Sequence, residues 1–249
     1  MKSLVAALRL LTIVPIPGVW GSAEQDLARS LPWFPIVGLG LGMAAAGLAW
    51  GLAWLAPPLI SAAVLVVVLA GFSGCLHLDG LADTADGLLS SRPRERKLEI
   101  MRDSHIGAMG VVAILGVWLL KFAALASAIP GQLWTTVLLM PLAGRCAIVV
   151  QMAILPYART TGLASIFYGR PRRLVAVWAA GFLAAVAWGL LGSRGLVVWT
   201  ACIAAALVFS CYVYRRIGGA TGDTLGAVCE IVEVLPALVL ALVPMGQAR

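Results

Sequence analysis

The chain has 249 residues, of which 61% are hydrophobic and only 12% are charged, and its mean hydropathy is +0.99. Because about a quarter of the residues in soluble globular proteins are charged, this composition excludes a soluble enzyme and predicts an all-α, polytopic integral membrane protein. The net charge of +7 comes from basic residues in short loops, which argues against a nucleic-acid partner. The five cysteines are scattered without a C-x-x-C pair and are expected to be small core residues.

Residues 1–17 carry apolar side chains at helical spacing and end in two prolines, which predicts an N-terminal amphipathic helix at the membrane interface. A cleaved signal peptide is the competing interpretation, although Arg9 interrupts the apolar run that it needs. Seven candidate spans follow, each long enough to cross ~30 Å of hydrocarbon. They cover residues 33–56, 59–78, 106–129, 131–153, 174–192, 196–214 and 226–245, and we expect one membrane-embedded domain over residues 1–249. In the first span, Gly38, Gly42 and Gly47 predict close helix packing.

Threading these spans through a bilayer divides the charged residues unevenly between its two sides. Residues 1–32, 79–105, 154–173 and 215–225 fall on one side and contain fourteen of the eighteen Lys and Arg residues. By the positive-inside rule this side is cytoplasmic, with the N-terminus inside and the C-terminus, including Arg249, outside. We therefore expect a multi-pass protein of the cytoplasmic (inner) membrane, with its polar chemistry on the cytoplasmic face.

A polar stretch at residues 77–110 contains six of the eleven acidic residues of the chain. Asp79, Asp83 and Asp86 are spaced i, i+4, i+7, which places them within about 60° of one another on a helix. Carboxylates that close repel unless a cation lies between them, and Mg²⁺ prefers oxygen ligands and shares its shell with substrate phosphates. The stretch therefore predicts a magnesium site. A solvated acidic loop is the alternative.

A second acidic group lies at residues 218–233, where Asp223, Glu230 and Glu233 share one helical face. Carboxylates inside an apolar span are costly unless partnered, so all three are candidate metal ligands. The alternative is a structural pair with a cation such as Arg145 or Arg102. The glycine-rich turn before this helix predicts phosphate contacts through its backbone, and it places Thr221, Gly222 and Thr224 among the candidate substrate-binding residues.

Two further basic positions are candidates for anion binding. Arg145 lies inside the fourth span, where an arginine needs an acidic partner or a water-filled cleft. Tyr157 and Arg159, in L-P-Y-A-R, are candidates for substrate contacts or interfacial anchors. His77 and His105 flank the first acidic group, but they are weaker candidates because Mg²⁺ prefers oxygen ligands.

These stretches together resemble cobalamin synthase, the adenosylcobinamide-GDP ribazoletransferase family. The resemblance rests on L-T-I-V-P-I-P at 11–17, F-P-I-V-G at 34–38, H-L-D-G-L-A-D-T-A-D-G at 77–87, R-x-R-x-L-E-I-M-R-D-S-x-I-G-x-x-G at 94–110, L-P-Y-A-R at 155–159 and G-G-A-T-G-D-T-L-G-A-x-x-E-x-x-E at 218–233. His105 departs from the pattern, which more often has arginine there, so it is assigned no role.

The resemblance implies an Mg²⁺-dependent membrane transferase that joins adenosylcobinamide-GDP to α-ribazole, or to its 5′-phosphate, with release of GMP. It is compatible with a homo-oligomer and with contacts to other cobalamin-assembly enzymes. On this hypothesis Asp79, Asp83 and Asp86 hold one or two Mg²⁺ ions, and Asp83 or Asp103 accepts the proton of the attacking hydroxyl. Other acidic residues (Asp223, Glu230, Glu233, Asp103) complete the site, and Arg102, Arg145 and Arg159 stabilise departing GMP.

Two other functions remain as alternatives. The first acidic block is similar to the D-x-x-D-G motif of CDP-alcohol phosphotransferases, which would act on a lipid precursor, but the downstream spacing does not fit that family. An ion-coupled transporter would also contain buried Glu and Arg residues. Transporters place such residues near the bilayer midplane, whereas here the carboxylates gather at one interface.

Overall fold

The computed structural model describes residues 1–129 and 131–243, and within these residues every regular element is helical. The α-helices are α1 (Lys2–Leu11), α2 (Glu24–Ala28), α3 (Phe34–Leu55), α4 (Pro58–Phe72), α5 (Leu76–Leu88), α6 (Arg94–Ile100), α7 (Ala108–Ala126), α8 (Leu133–Ile154), α9 (Arg173–Leu191), α10 (Ser193–Ile217), α11 (Gly222–Glu233) and α12 (Leu235–Leu242). Short 3₁₀ helices cover Leu31–Trp33 and Leu163–Gly169. The prediction of an all-α protein is confirmed.

Six helical stretches of the described residues are long and apolar enough to cross a membrane, and a bent helix pair could form a seventh. The six are Leu31–Leu55, Ala108–Ala126, Leu133–Ile154, Arg173–Leu191, Ser193–Ile217 and Gly222–Leu242. This count confirms the prediction of about seven spans. The predicted end of the last span at residues 244–245, and Arg249 beyond it, lie outside the described residues.

The second predicted span, residues 59–78, is wrong as a single helix. α4 ends at Phe72, and α5 leaves it at an angle of 88°. The break lies at Gly74 and Cys75, which both have left-handed backbone angles, φ 58° and φ 63°. Since an α-helix cannot continue through such residues, α5 turns away from the direction of α4. Because α5 carries three aspartates in thirteen residues, we place it outside the membrane-spanning segments.

Helix α8 forms the centre of the bundle, where α3, α9, α10, α11 and α12 pack around it. Its close contact with α3 depends on two of the three glycines predicted to promote packing. A Cβ atom on Gly38 would lie 2.8 Å from the Pro141 carbonyl oxygen, and one on Gly42 would lie 2.1 Å from the Leu138 carbonyl oxygen. The same prediction is wrong for Gly47, because nothing lies within 4 Å of a Cβ atom there.

We expect Gly42→Val to destabilise the protein by roughly 1–3 kcal/mol or more, because the added side chain collides with the backbone of α8 and forces the helices apart. Thermal unfolding in detergent micelles measures the effect. The matched control is Gly47→Val, which introduces the same side chain on the same helix without a neighbour. Equal losses for the two variants would show that valine itself, and not the contact with α8, causes the change.

Helix α1 confirms the predicted amphipathic N-terminal helix and stops at Leu11, ahead of the two prolines. One face buries Ala6, Ala7 and Leu11, while the Arg9 guanidinium donates hydrogen bonds to the carbonyls of the following turn. The Ile13 amide donates to the Phe72 carbonyl at 2.9 Å, so the segment after α1 is tied to the end of α4. The segment after α1 thereby lies beside Gly74, in the turn between α4 and α5.

Candidate functional site

The two acidic stretches of the sequence meet because α5 and α11 cross at glycines. A Cβ atom on Gly80 would lie 2.7 Å from the Asp223 carbonyl oxygen, and one on Gly226 would lie 3.0 Å from the His77 carbonyl oxygen. A side chain at position 80 would collide with α11, and one at position 226 would press against α5. The crossing brings Asp79 and Asp83 of α5 beside Asp223 of α11, and we call these three residues the carboxylate site.

Charge repulsion within the carboxylate site acts most strongly on half-buried Asp83. Burial, followed by the negative charges of Asp79, Asp223 and Asp86, raises the pKa of the Asp83 carboxyl from 3.8 to about 7. The Arg159 guanidinium opposes this rise only in part. A raised carboxyl pKa beside other carboxylates is typical of a functional site that gains stability from a cation.

We expect this repulsion to be visible in the stability of metal-free protein. Because the pKa of Asp83 is higher in the folded protein than the usual 3.8, its contribution to stability is fully present below about pH 4 and is lost as the pH rises through about 7. Asp83→Asn removes this loss, so the variant should unfold at a higher temperature than wild type at pH 8 in EDTA. At pH 4 the two should be alike. A difference of equal size at both pH values would contradict the raised pKa.

Asp223 is held in place by two chain segments that meet at a single β-bridge between Tyr157 and Ala220. The Ala158 amide donates to the Ala220 carbonyl, and the Ala220 amide donates to the Pro156 carbonyl, each at 2.8 Å. This bridge carries Arg159 to α11, where its Nη2 lies 2.6 Å from the Asp223 Oδ2. Arg159 therefore positions Asp223, and its predicted contact with GMP stays a prediction.

Thr221 and Thr224, which are predicted to contact substrate, bond to each other at the start of α11. The Thr221 hydroxyl accepts from the Thr224 amide at 3.2 Å, and the Thr224 hydroxyl accepts from the Thr221 amide at 2.9 Å. This reciprocal arrangement is a capping box, and it buries both side chains. Of the three predicted residues in this turn, Gly222 alone stays exposed and lines a cavity.

Asp86 caps a neighbouring helix, and we no longer assign it to the metal site. Its two carboxylate oxygens accept hydrogen bonds from the amides of Gly107, at 2.7 Å, and Gly110, at 2.9 Å, at the start of α7. These amides have no partner within their own helix, and a carboxylate there also interacts favourably with the helix dipole. The i, i+4, i+7 spacing therefore places Asp86 on the same helical face as Asp79 and Asp83, but it does not show that the three carboxylates share a function.

Glu230, Glu233 and Arg145 form a buried ion cluster with Lys121, so we withdraw them from the metal and catalytic assignments. Lys121 Nζ lies 2.7 Å from Glu230 Oε2 and 2.8 Å from Glu233 Oε1, and Arg145 pairs with the other oxygen of Glu233. All four side chains are at most 4% exposed. Two positive and two negative charges balance in the cluster, which is the condition under which charges are tolerated inside a bundle. The alternative of a structural pair with Arg145 was the better interpretation of these glutamates.

Arg102 and Asp103 lie on the exposed loop between α6 and α7. The Asp103 carboxylate contacts the His105 amide at 3.0 Å and its Nδ1 at 2.7 Å, and these hydrogen bonds lower the pKa of Asp103. A carboxylate with a lowered pKa is a weaker base, so Asp103 is a poorer candidate for proton acceptance than Asp83.

Tyr157 is half-buried, with its ring centroid 5.0 Å from that of Tyr168, and burial raises the pKa of its hydroxyl.

Two cavities adjoin the carboxylate site, and Asp79 lines both. The polar cavity, of ≈ 590 Å³, lies between α5, the loop at 101–106 and α7, and it includes Asp83, Arg102 and Asp103. The apolar cavity, of ≈ 200 Å³, lies between α5, α8, α11 and the segment at 163–167, with Asp79 and Asp223 in its wall. Such adjoining spaces are suited to two substrates that meet at Asp79.

The side chains of the carboxylate site do not form a ready-made metal site in this structure. Throughout residues 1–129 and 131–243, no group of three or more His, Cys, Asp or Glu side chains is arranged to bind a metal. Mg²⁺ is nevertheless commonly held by one or two carboxylates together with substrate phosphates and water. Asp79 and Asp83, one helical turn apart beside the polar cavity, fit that pattern.

Sequence reasoning missed Lys121 and gave little weight to His77. Lys121 carried a usable signal, because a lysine within a predicted span must find an acidic partner, and two glutamates lay in another span. His77 is only 3% exposed, and its Nδ1 has no hydrogen-bond partner among the described residues. Nothing in its sequence context distinguishes this arrangement from a histidine with satisfied hydrogen bonds.

Comparison with known proteins gives a consistent result across the chain. A family model described as cobalamin-5-phosphate synthase matches residues 3–241. Three relatives named adenosylcobinamide-GDP ribazoletransferase come from Geotalea daltonii, Roseiflexus sp. and Herpetosiphon aurantiacus. The Geotalea protein is 40% identical to this chain over 96% of both chains. The Roseiflexus protein is 42% identical over 95% of this chain and 88% of its own length. The Herpetosiphon protein is 39% identical over 97% of this chain and 96% of its own length. No solved structure matches the chain significantly. The chain belongs to the cobalamin-5-phosphate synthase family, a family of membrane transferases.

Proposed function

We propose that this protein joins adenosylcobinamide-GDP to α-ribazole, or to its 5′-phosphate, and releases GMP, forming adenosylcobalamin or its phosphate. The names of its relatives support this choice of substrates. The observation that carries it is the crossing of α5 and α11, which gathers Asp79, Asp83 and Asp223 between two adjoining cavities. This arrangement suits a two-substrate phosphoryl transfer, which depends on positioning the two substrates and neutralising charge where they meet.

In the proposed reaction a ribose hydroxyl oxygen of α-ribazole attacks the phosphorus that is linked to cobinamide. The new P–O bond forms as the phosphoanhydride bond breaks, and GMP departs with the electron pair of that bond. The hydroxyl proton passes to the carboxylate of Asp83. Asp83 is a candidate for this role because it is half-buried and lines the polar cavity.

We further propose that Asp79 and Asp83 hold Mg²⁺ together with the substrate diphosphate. Bound Mg²⁺ would supply positive charge to the phosphoryl oxygens, where negative charge accumulates during transfer. Asp223 remains at the edge of the site, fixed by Arg159, and it orients the acceptor sugar. In this arrangement one oxygen of the Asp83 carboxylate would bind the metal, and the other would accept the proton of the acceptor hydroxyl.

Arg102 is the residue that we propose to contact the departing GMP. It is exposed and lines the polar cavity, whereas Arg145 is buried in the ion cluster and Arg159 is engaged by Asp223. An arginine can bind a phosphate through two parallel N–H donors, which stabilises the leaving group as charge develops on it. On the positive-inside argument, this loop and the carboxylate site lie at the cytoplasmic face of the inner membrane.

The test is turnover by purified protein in detergent or lipid nanodiscs, supplied with adenosylcobinamide-GDP and α-ribazole and analysed by mass spectrometry. We expect equimolar adenosylcobalamin and GMP. A parallel panel of CDP-activated lipid precursors tests the phosphotransferase alternative. Product from that panel, with none from the corrinoid, would overturn the proposal.

A further inference from the structure

The apolar cavity has a composition that suits a flat aromatic group. Its walls come from α1, α3, α5, α8, α11 and the segment at 163–167, and the ionisable residues among the described ones that line it are His77, Asp79 and Asp223. Phe34 and Phe167, in edge-to-face contact with centroids 5.6 Å apart, form part of the wall. Ligand pockets typically combine such apolar walls with a few polar groups that fix orientation.

His77 is a polar group of this kind, and its hydrogen bonding is incomplete. It lines the apolar cavity, its side chain is 3% exposed, and its Nδ1 has no hydrogen-bond partner within the described part of the chain. Leaving a buried polar atom unpaired costs free energy, and native proteins seldom do so without a reason. A ligand with a complementary nitrogen or oxygen in the cavity would remove that cost.

Size limits which part of a substrate can enter. A cavity of about 150 Å³ holds benzene, so ≈ 200 Å³ suits a substituted bicyclic ring. A corrin macrocycle is several times larger and cannot enter. Because Asp79 and Asp223 stand in the wall of the cavity and Asp79 also lines the polar cavity, a ring bound here would leave its attached sugar beside the carboxylates.

We propose that the apolar cavity binds the aromatic base of the acceptor nucleoside, with His77 Nδ1–H donating a hydrogen bond to the unsubstituted ring nitrogen of that base. This inference rests on the proposed function, in which the acceptor is α-ribazole, a ribose attached to a bicyclic base with one free ring nitrogen. Base binding then places the ribose hydroxyl at Asp79 and Asp83. Acceptor base and corrinoid therefore do not compete for the apolar cavity, and the reacting groups of the two substrates meet at the carboxylate site.

The hydrogen bond is tested with His77→Phe, which keeps a flat ring but removes the donor. We expect the KM for α-ribazole to rise roughly tenfold, because a hydrogen-bonding site discriminates strongly against a missing partner, while the KM for adenosylcobinamide-GDP stays at the wild-type value. A second acceptor replaces the free ring nitrogen with CH. For that acceptor, wild type and His77→Phe should have the same KM. A tenfold difference in KM between wild type and His77→Phe for both acceptors would exclude the hydrogen bond.

The cavity itself is tested with Ala164→Trp, which fills it from the segment at 163–167. The matched control is Ile166→Trp, since Ile166 lies on the same segment but outside this cavity. Direct binding of α-ribazole should fall at least tenfold for the first variant and remain unchanged for the second, with corrinoid binding intact in both. Unchanged α-ribazole binding by Ala164→Trp would overturn the cavity assignment while leaving the proposed function standing. If wild type neither binds α-ribazole nor forms product, the proposed function fails, and this inference fails with it.

Discussion

Asp83→Asn is expected to lower kcat by roughly 10²- to 10⁴-fold, the range associated with removal of a positioned general base. Asparagine has nearly the same shape but cannot accept the proton of the attacking ribose hydroxyl. The variant should nevertheless remain folded, because the substitution removes a negative charge that burial and the neighbouring carboxylates disfavour, the two causes that raise the pKa of Asp83 to about 7. Loss of turnover together with equal or greater thermal stability would show that the variant is inactive because it lacks the base, and not because it is unfolded.

The matched control is Asp103→Asn, which removes the other carboxylate that the sequence suggested as a base. Asp103 is exposed and contacts His105, which lowers its pKa, so we expect this variant to retain turnover within about tenfold of wild type. Steady-state assays with both substrates saturating measure the two variants side by side. If Asp103→Asn loses the greater part of the activity and Asp83→Asn does not, the assignment of the base is reversed.

Lys121→Met is expected to destabilise the protein by about 3–5 kcal/mol, since removal of one partner leaves an unpaired charge inside the bundle. Glu230 and Glu233 would then share only Arg145, and the ion cluster would carry a net negative charge. Thermal unfolding in micelles, at a pH near neutrality, measures the loss.

The double variant Lys121→Met with Glu230→Gln is the control for net charge. It leaves Arg145 and Glu233 as a neutral pair, so we expect it to recover a large part of the stability lost by Lys121→Met alone. A Lys121→Met variant with wild-type stability but no turnover would contradict a structural role and return Glu230 and Glu233 to the list of functional carboxylates.

The sequence was sufficient to predict the membrane helices and the meeting of two acidic stretches at one face, because apolar run length and charge distribution depend on local composition. Its motifs were also sufficient to identify the family that the chain resembles. The crossing of α5 and α11 at Gly80 and Gly226 was not predictable, since either glycine could equally have marked a turn or a break. The single-domain organisation over residues 1–249 stays a prediction.

The roles of individual acidic residues depended on partners that are distant in the sequence. Asp86 shares a helical face with Asp79 and Asp83, but its oxygens bind amides 21 and 24 residues further along. Glu233 reaches cations 88 and 112 residues away. Periodicity places a side chain on a face but does not identify its partner, so three aspartates of equal appearance divide into two candidate ligands and one helix cap.

The central claim, that Asp79 and Asp83 of α5 form a metal-assisted transfer site, is tested most directly by the rate of GMP release as Mg²⁺ concentration is varied. Wild type should show no release in EDTA and saturable activation by Mg²⁺. Asp79→Asn should need at least tenfold more Mg²⁺ for half-maximal rate, and Asp26→Asn, on the peripheral α2, should match wild type. Full activity of wild type in EDTA, or an unchanged Mg²⁺ requirement in Asp79→Asn, would contradict the account.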